Sequence, residues 1–128
     1  MINEDNLNQF CGDEERYQHW TRRLIFTPGV KYLADNGGQH GAYWLLDAIA
    51  SYQPEPVIKN NPKLREFQVW ILTVDLKAHT PVLRMSDGDD PKPLVEQKIE
   101  HTDFDLAAIT IWAENNGNGM TLLLPSEH

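Results

Sequence analysis

The sequence predicts an α+β fold, with helices from the N-terminal half packed on one face of a four- or five-stranded, mainly antiparallel sheet formed by the later residues. Between Gly41 and Leu76 the apolar spacing changes from every three or four residues to every second residue, which marks a helix followed by a strand. Pro54, Pro56 and Pro62 separate the two, since each lacks a backbone donor and restrains the residue before it. Farther on, Asn115-Asn116-Gly117-Asn118-Gly119 lies between two apolar runs, the composition of a β-hairpin turn.

In chain order, Asn3 is placed to cap a turn carrying Leu7 and Phe10, with Gly12 where a left-handed stop costs little. Asp13 is placed to cap a second short helix over 13–20, whose Tyr17 and Trp20, three apart, rest on the core. Arg23 to Phe26 reads as a brief extended piece. Thr27-Pro28 reads as a helix cap followed by a first-turn proline. Val30, Leu33 and Ala34 share a face of that helix, which Asn36, Gly37 and Gly38 end. The next helix carries Ala42, Leu45, Leu46, Ile49 and Ala50 on one stripe. Residues 54 to 65 read as a connection. The strand from 67 to 76 is apolar on both faces and therefore central. Val82 to Met85 pairs beside it, the Asp-rich segment of 86–90 with Pro91 and Pro93 supplies the turn, and Val95, Gln97 and Ile99 oppose Leu94, Glu96, Lys98 and Glu100, a second face that is largely solvent-facing.

A chain of 128 residues, 41% of them hydrophobic and four of them Trp, is long enough to bury one core, and one domain over 1–128 is expected. The lone Cys11 has no internal disulfide partner, no basic-then-apolar leader is present, and no apolar run reaches the roughly 20 residues of a membrane helix. A reducing cytoplasm is the expected setting, with no membrane contact. Nineteen acidic and eleven basic side chains give a formal charge of −8, which opposes direct binding to nucleic acid and would attract a basic protein.

Candidates for chemistry are few. Asp87, Asp89 and Asp90 suggest a hard cation, but Gly88 and Pro91 break the calcium-loop spacing, and a solvated turn accounts for them. Glu96-Gln97-Lys98 is similar to the acid-x-Lys element of metal-dependent nucleases, with Asp75 or Asp87 as a second carboxylate; alternating charge is also how an exposed strand resists aggregation. His19, His40, His79, His101 and His128 lack the spacing that pairs two imidazoles on a helix. At His101-Thr102-Asp103, capping of the following turn accounts for the polar pair. Ser51, Ser86 and Ser126 have no nucleophile-elbow flanks. Gly37-Gly38-Gln39-His40-Gly41 lacks the lysine of a phosphate loop and reads as a helix-to-helix connection. Trp44 and Asp47, three apart on the edge of the strong helix, form the aromatic and polar pair best suited to binding, set against the core role that most large rings serve.

Gly29-Val-Lys-Tyr-Leu-Ala, Gly41-Ala-Tyr-Trp-Leu-Leu-Asp-Ala-Ile-Ala-Ser, Phe67-Gln-Val-Trp, Thr102-Asp-Phe and Leu122-Leu-Leu-Pro-Ser-Glu-His together resemble a bacterial domain-of-unknown-function family met in phage, plasmid and other mobile-element contexts. The resemblance spans nearly the whole chain and implies context without a mechanism. Its polar motif residues beside apolar runs, Trp44, Asp47, Asp103 and Glu127, are the expected binding residues, because a polar group so placed needs a hydrogen bond or a partner. The expectation is a non-enzymatic binding or regulatory protein that contacts a protein partner or a second copy of itself, without cofactor, metal or catalytic residues. The alternatives are a metal-dependent hydrolase using Glu96, Lys98 and Asp75 or Asp87, and an acidic mimic that inhibits a basic host protein.

Overall fold

The computed structural model describes residues 7, 16–89, 92–100, 102–104, 106–117 and 119–128. Its strands are β1 (Tyr17–Gln18), β2 (Leu24–Phe26), β3 (Phe67–Asp75), β4 (Thr80–Ser86), β5 (Val95–Lys98), β6 (Ala108–Asn115) and β7 (Met120–Leu123). They form one sheet in the order β1-β2-β7-β6-β3-β4-β5. The helices are α1 (Pro28–Asn36), α2 (Tyr43–Tyr52), α3 (Pro56–Lys59) and α4 (Pro62–Glu66), and a 3₁₀ turn covers Pro125–Glu127. The α+β class holds, while among the described residues seven strands replace the expected four or five. The sheet is mixed, because β2 runs parallel to β7, with Leu24 opposite Met120 and Phe26 opposite Leu122.

Local chemistry explains most of these elements. Thr27 Oγ1 accepts the Val30 N–H at 3.3 Å, and Pro28 occupies the first turn of α1. Val30, Leu33 and Ala34 are buried on its inner face, as are Leu45, Leu46, Ile49 and Ala50 of α2. Both helices share one core with Trp70, Leu72, Leu83, Ile111 and Leu122 of the sheet. Residues 54–65 are not a plain connection. Pro56 and Pro62 begin two short helices, where a missing N–H removes no helical bond, and Asn61 Oδ1 accepts the N–H groups of Lys63 and Leu64.

Strand β3 is central, flanked by β6 and β4, but only one of its faces is covered. Gln68, Trp70, Leu72 and Val74 are buried, whereas Phe67, Val69 and Thr73 are half-buried and Ile71 is exposed. The Gln68 amide is fully satisfied. Its Nε2 donates to Gln53 Oε1 and Leu64 O, and its Oε1 accepts from Gln53 Nε2 and Trp70 Nε1, at 2.8–3.0 Å. The predicted hairpin is β6–β7, with Gly117 (φ 93°) and Gly119 (φ 121°) in the left-handed region.

The expected helix over 13–20 is replaced, where described, by strand β1 at Tyr17–Gln18 and a tight turn after it; Trp20 is 77% exposed instead of resting on the core. Leu7 is helical and buried, as its placement on a helical turn predicted. Asn3, Phe10, Cys11, Gly12, Asp13, Asp90, Pro91, His101 and Asn118 lie outside the described residues. Among the described residues no helix is long and apolar enough to cross a membrane.

Candidate functional site

The turn joining β1 to β2 closes with the His19 N–H donating to Leu24 O at 3.0 Å and the Arg22 N–H donating to His19 O at 2.9 Å. Arg22 takes the left-handed conformation (φ 63°), a position that glycine usually fills in hairpins of this kind. The turn carries Trp20 into solvent while holding it in place. Its Nε1–H donates to Asp47 Oδ1 on α2 at 2.8 Å. His19 Nε2 reaches the same oxygen at 2.7 Å. His19 itself is buried, and its Nδ1 accepts the Thr21 N–H at 3.2 Å and meets Thr21 Oγ1 at 2.7 Å. Because Nδ1 accepts a backbone N–H, the neutral ring carries its proton on Nε2 and donates it to Asp47. Asp47 Oδ2 has no partner among the described residues, and the side chain is half open to water.

One helical turn before Asp47, Tyr43 extends the same surface. It is 40% exposed, and its ring meets Phe26 edge-on at 6.5 Å, with Tyr17 stacked on Phe26 at 5.8 Å. The Tyr43 hydroxyl donates to Asp35 Oδ1 and Lys31 Nζ donates to Asp35 Oδ2, each at 2.6 Å. Partial burial works to raise the Asp35 pKa, but these two donors outweigh it and hold the carboxyl below its ordinary value of 3.8. Burial, then the neighbouring Asp35, pushes the Tyr43 hydroxyl up. The Lys31 ammonium is raised chiefly by its hydrogen bond to Asp35.

Carboxylate, imidazole and hydroxyl in sequence form the relay of many hydrolases. Here the hydroxyl stands two residues from the imidazole in one tight turn, and Thr21 Oγ1 also accepts the Arg23 N–H at 3.3 Å. That arrangement locks a loop, so its main consequence is a fixed Trp20.

The other residues expected from the sequence lie elsewhere. Trp44 is half-buried and packs against the core, the role expected of most large rings. Asp103 Oδ2 accepts the Gln39 N–H at 2.8 Å, tying down the connection between α1 and α2, while Thr102 Oγ1 accepts the Phe104 N–H. Glu127 is buried; its Oε1 accepts from Thr27 Oγ1 at 2.5 Å and from Leu124 N at 2.9 Å, and its Oε2 accepts from Gly29 N at 3.2 Å. It thereby joins the 3₁₀ turn to the start of α1, where a negative charge is favourable.

The carboxylates of the acid-x-Lys alternative are not brought together. Ile71, Arg84 and Glu96 align across β3, β4 and β5, and Asp75 lies four residues beyond Ile71, which separates the Asp75 and Glu96 Cα atoms by roughly 16 Å. Glu96 pairs with Arg84 at 2.9 Å, Asp75 Oδ1 accepts N–H groups of its own turn, and Asp87 and Asp89 both meet Lys63. Among the described residues no group of three or more His, Cys, Asp or Glu is placed to hold a metal ion.

Trp20 and His19 were the partners the sequence did not reveal. The run His19-Trp20-Thr21-Arg22-Arg23 holds no Gly, Pro, Asn or Asp to mark a turn, and the identity of the carboxylate meeting it depends on tertiary folding.

The sequence model of DUF6876, a family of unknown function, matches residues 1–128, and the chain belongs to that family. No curated protein and no solved structure matches it.

Proposed function

We propose that the protein is a non-enzymatic binding module whose anchor is Trp20, held by Asp47, and whose partner is a protein surface offering an apolar slot with a hydrogen-bond donor at its mouth. The observation that carries this reading is an indole 77% exposed yet fixed by a 2.8 Å hydrogen bond. An anchor of this kind contributes in two ways. Covering 77% of a side chain of roughly 250 Å² removes about 190 Å² from water, a gross gain of roughly 5 kcal/mol before the costs of association. The indole N–H is already satisfied and the ring already placed, so little polar desolvation or ordering opposes that gain. Asp47 Oδ2 is available to accept from the partner, and Tyr43 adds a second aromatic contact beside it. The proposal includes a cytoplasmic setting in a bacterium or one of its mobile elements; the net charge of −8 favours a basic partner over nucleic acid.

The test is site-specific photo-crosslinking in cells that make the protein, with a benzophenone side chain at position 22 beside the anchor and, separately, at position 71. A discrete protein adduct at position 22, lost on adding Trp20→Ala, is expected. An adduct at 71 alone would contradict the reading. It would favour the second one, self-association through the uncovered sheet face, for which half-buried Val69 and Trp112 and exposed Ile71 speak.

A further inference from the structure

A hollow of about 270 Å³ lies where the β6–β7 hairpin meets the 3₁₀ turn, lined by Arg16, Thr27, Glu114, Thr121, Glu127 and His128 among others. Thr121 is 3% exposed, and its Oγ1 has no hydrogen-bond partner among the described residues. A buried hydroxyl left unmatched is uncommon and asks what normally meets it. Thr121 pairs across the hairpin with Glu114, so the two side chains emerge side by side on one face of the sheet.

Several oxygens of the lining have acceptor capacity to spare. Glu127 Oε2 accepts one bond, from Gly29 N at 3.2 Å. Glu114 Oε2 meets His128 Nε2 at 3.4 Å, and Glu114 Oε1 meets no donor among the described residues. The Thr121 oxygen accepts nothing. Among these side chains the carboxylates of Glu114 and Glu127 outnumber the one guanidinium of Arg16, which favours a cation over an anion. The space is about nine times a water molecule's ~30 Å³ share of the liquid, generous for a bare ion and suited to a small organic molecule.

We propose that this hollow is a binding site for a compact primary-ammonium compound, its N–H groups directed to Thr121 Oγ1, Glu114 and Glu127 Oε2. The site is separate from the Trp20 corner and does not depend on its reading.

The test is titration of the ¹⁵N-labelled protein with n-propylammonium, followed by amide chemical shifts. Tetramethylammonium, which has the charge without N–H donors, and potassium serve as controls. Saturable shifts centred on residues 114, 121 and 127 are expected, weakened roughly tenfold in Thr121→Val and in Glu114→Gln, as loss of a charge-assisted hydrogen bond implies. Neither control should reproduce them. Thr121→Val should keep or raise the melting temperature, because the hydroxyl has no internal bond to lose. Absence of saturation, equal affinity in Thr121→Val, equal binding of tetramethylammonium, or a lower melting temperature for Thr121→Val would each overturn the proposal.

Discussion

Replacing Glu127 with Ala tests whether one buried carboxylate fastens the 3₁₀ turn to α1. The side chain accepts from Thr27 Oγ1, Leu124 N and Gly29 N, and hydrogen bonds to a charged acceptor contribute roughly 1.5–3 kcal/mol each. The three are coupled through one side chain, and the adjoining hollow lets water reach part of what is stranded, so their sum overstates the loss. About 3–4 kcal/mol is the expected destabilisation, equivalent to a fall in Tm of roughly 10–15 °C for a domain of this size. Glu127→Gln keeps one good acceptor and should lose about half as much. Urea unfolding followed by circular dichroism measures both variants, with the m-value checked for constancy. A loss below about 1 kcal/mol for Glu127→Ala would refute the claim that these bonds are made in solution.

Gln68→Leu should cost about 2–4 kcal/mol, because it strands the buried Trp70 indole N–H and takes a partner from the Leu64 carbonyl and from the half-buried Gln53 amide; the same unfolding assay checks it. Asp35→Asn should flatten the acid limb of the stability curve. The folded carboxyl titrates below its ordinary 3.8, so the unfolded state takes up its proton first, and the stabilisation present above that value is lost as pH falls through the lower folded pKa. Thermal melts between pH 2 and pH 6 would show no difference in slope if that were wrong. Trp20→Ala should leave Tm within about 2 °C of the parent, since the ring covers little of the core. Asp47→Ala should speed hydrogen exchange at the Trp20 indole N–H, read by NMR.

Both major helices and the β6–β7 hairpin were legible because their signals are local: a stripe of Leu45, Leu46, Ile49 and Ala50, a Thr27-Pro28 start, and glycines where positive φ is needed. Helices α3 and α4 were missed because four or five residues are too few to show periodicity, and the prolines that argued for a loop are equally at home in a helix's first turn. Strands β1 and β2 are two and three residues long, and β2 gains its place from a parallel partner near the other end of the sequence. No local pattern encodes such pairing. The sequence singled out Asp47 but paired it with Trp44, its neighbour on the helix face. The indole that meets it is Trp20, 27 residues earlier, and composition argues for burying a tryptophan, so its exposure could not be read in advance.

The central claim is that Trp20 anchors a partner, and calorimetric titration of the cross-linked partner, once purified, against the parent protein and Trp20→Ala addresses it directly. A Kd weakened about thirtyfold or more, at or above roughly 2 kcal/mol, is the expected result for an aromatic anchor at the centre of an interface. Affinities within twofold of each other, from two proteins that melt at the same temperature, would contradict it.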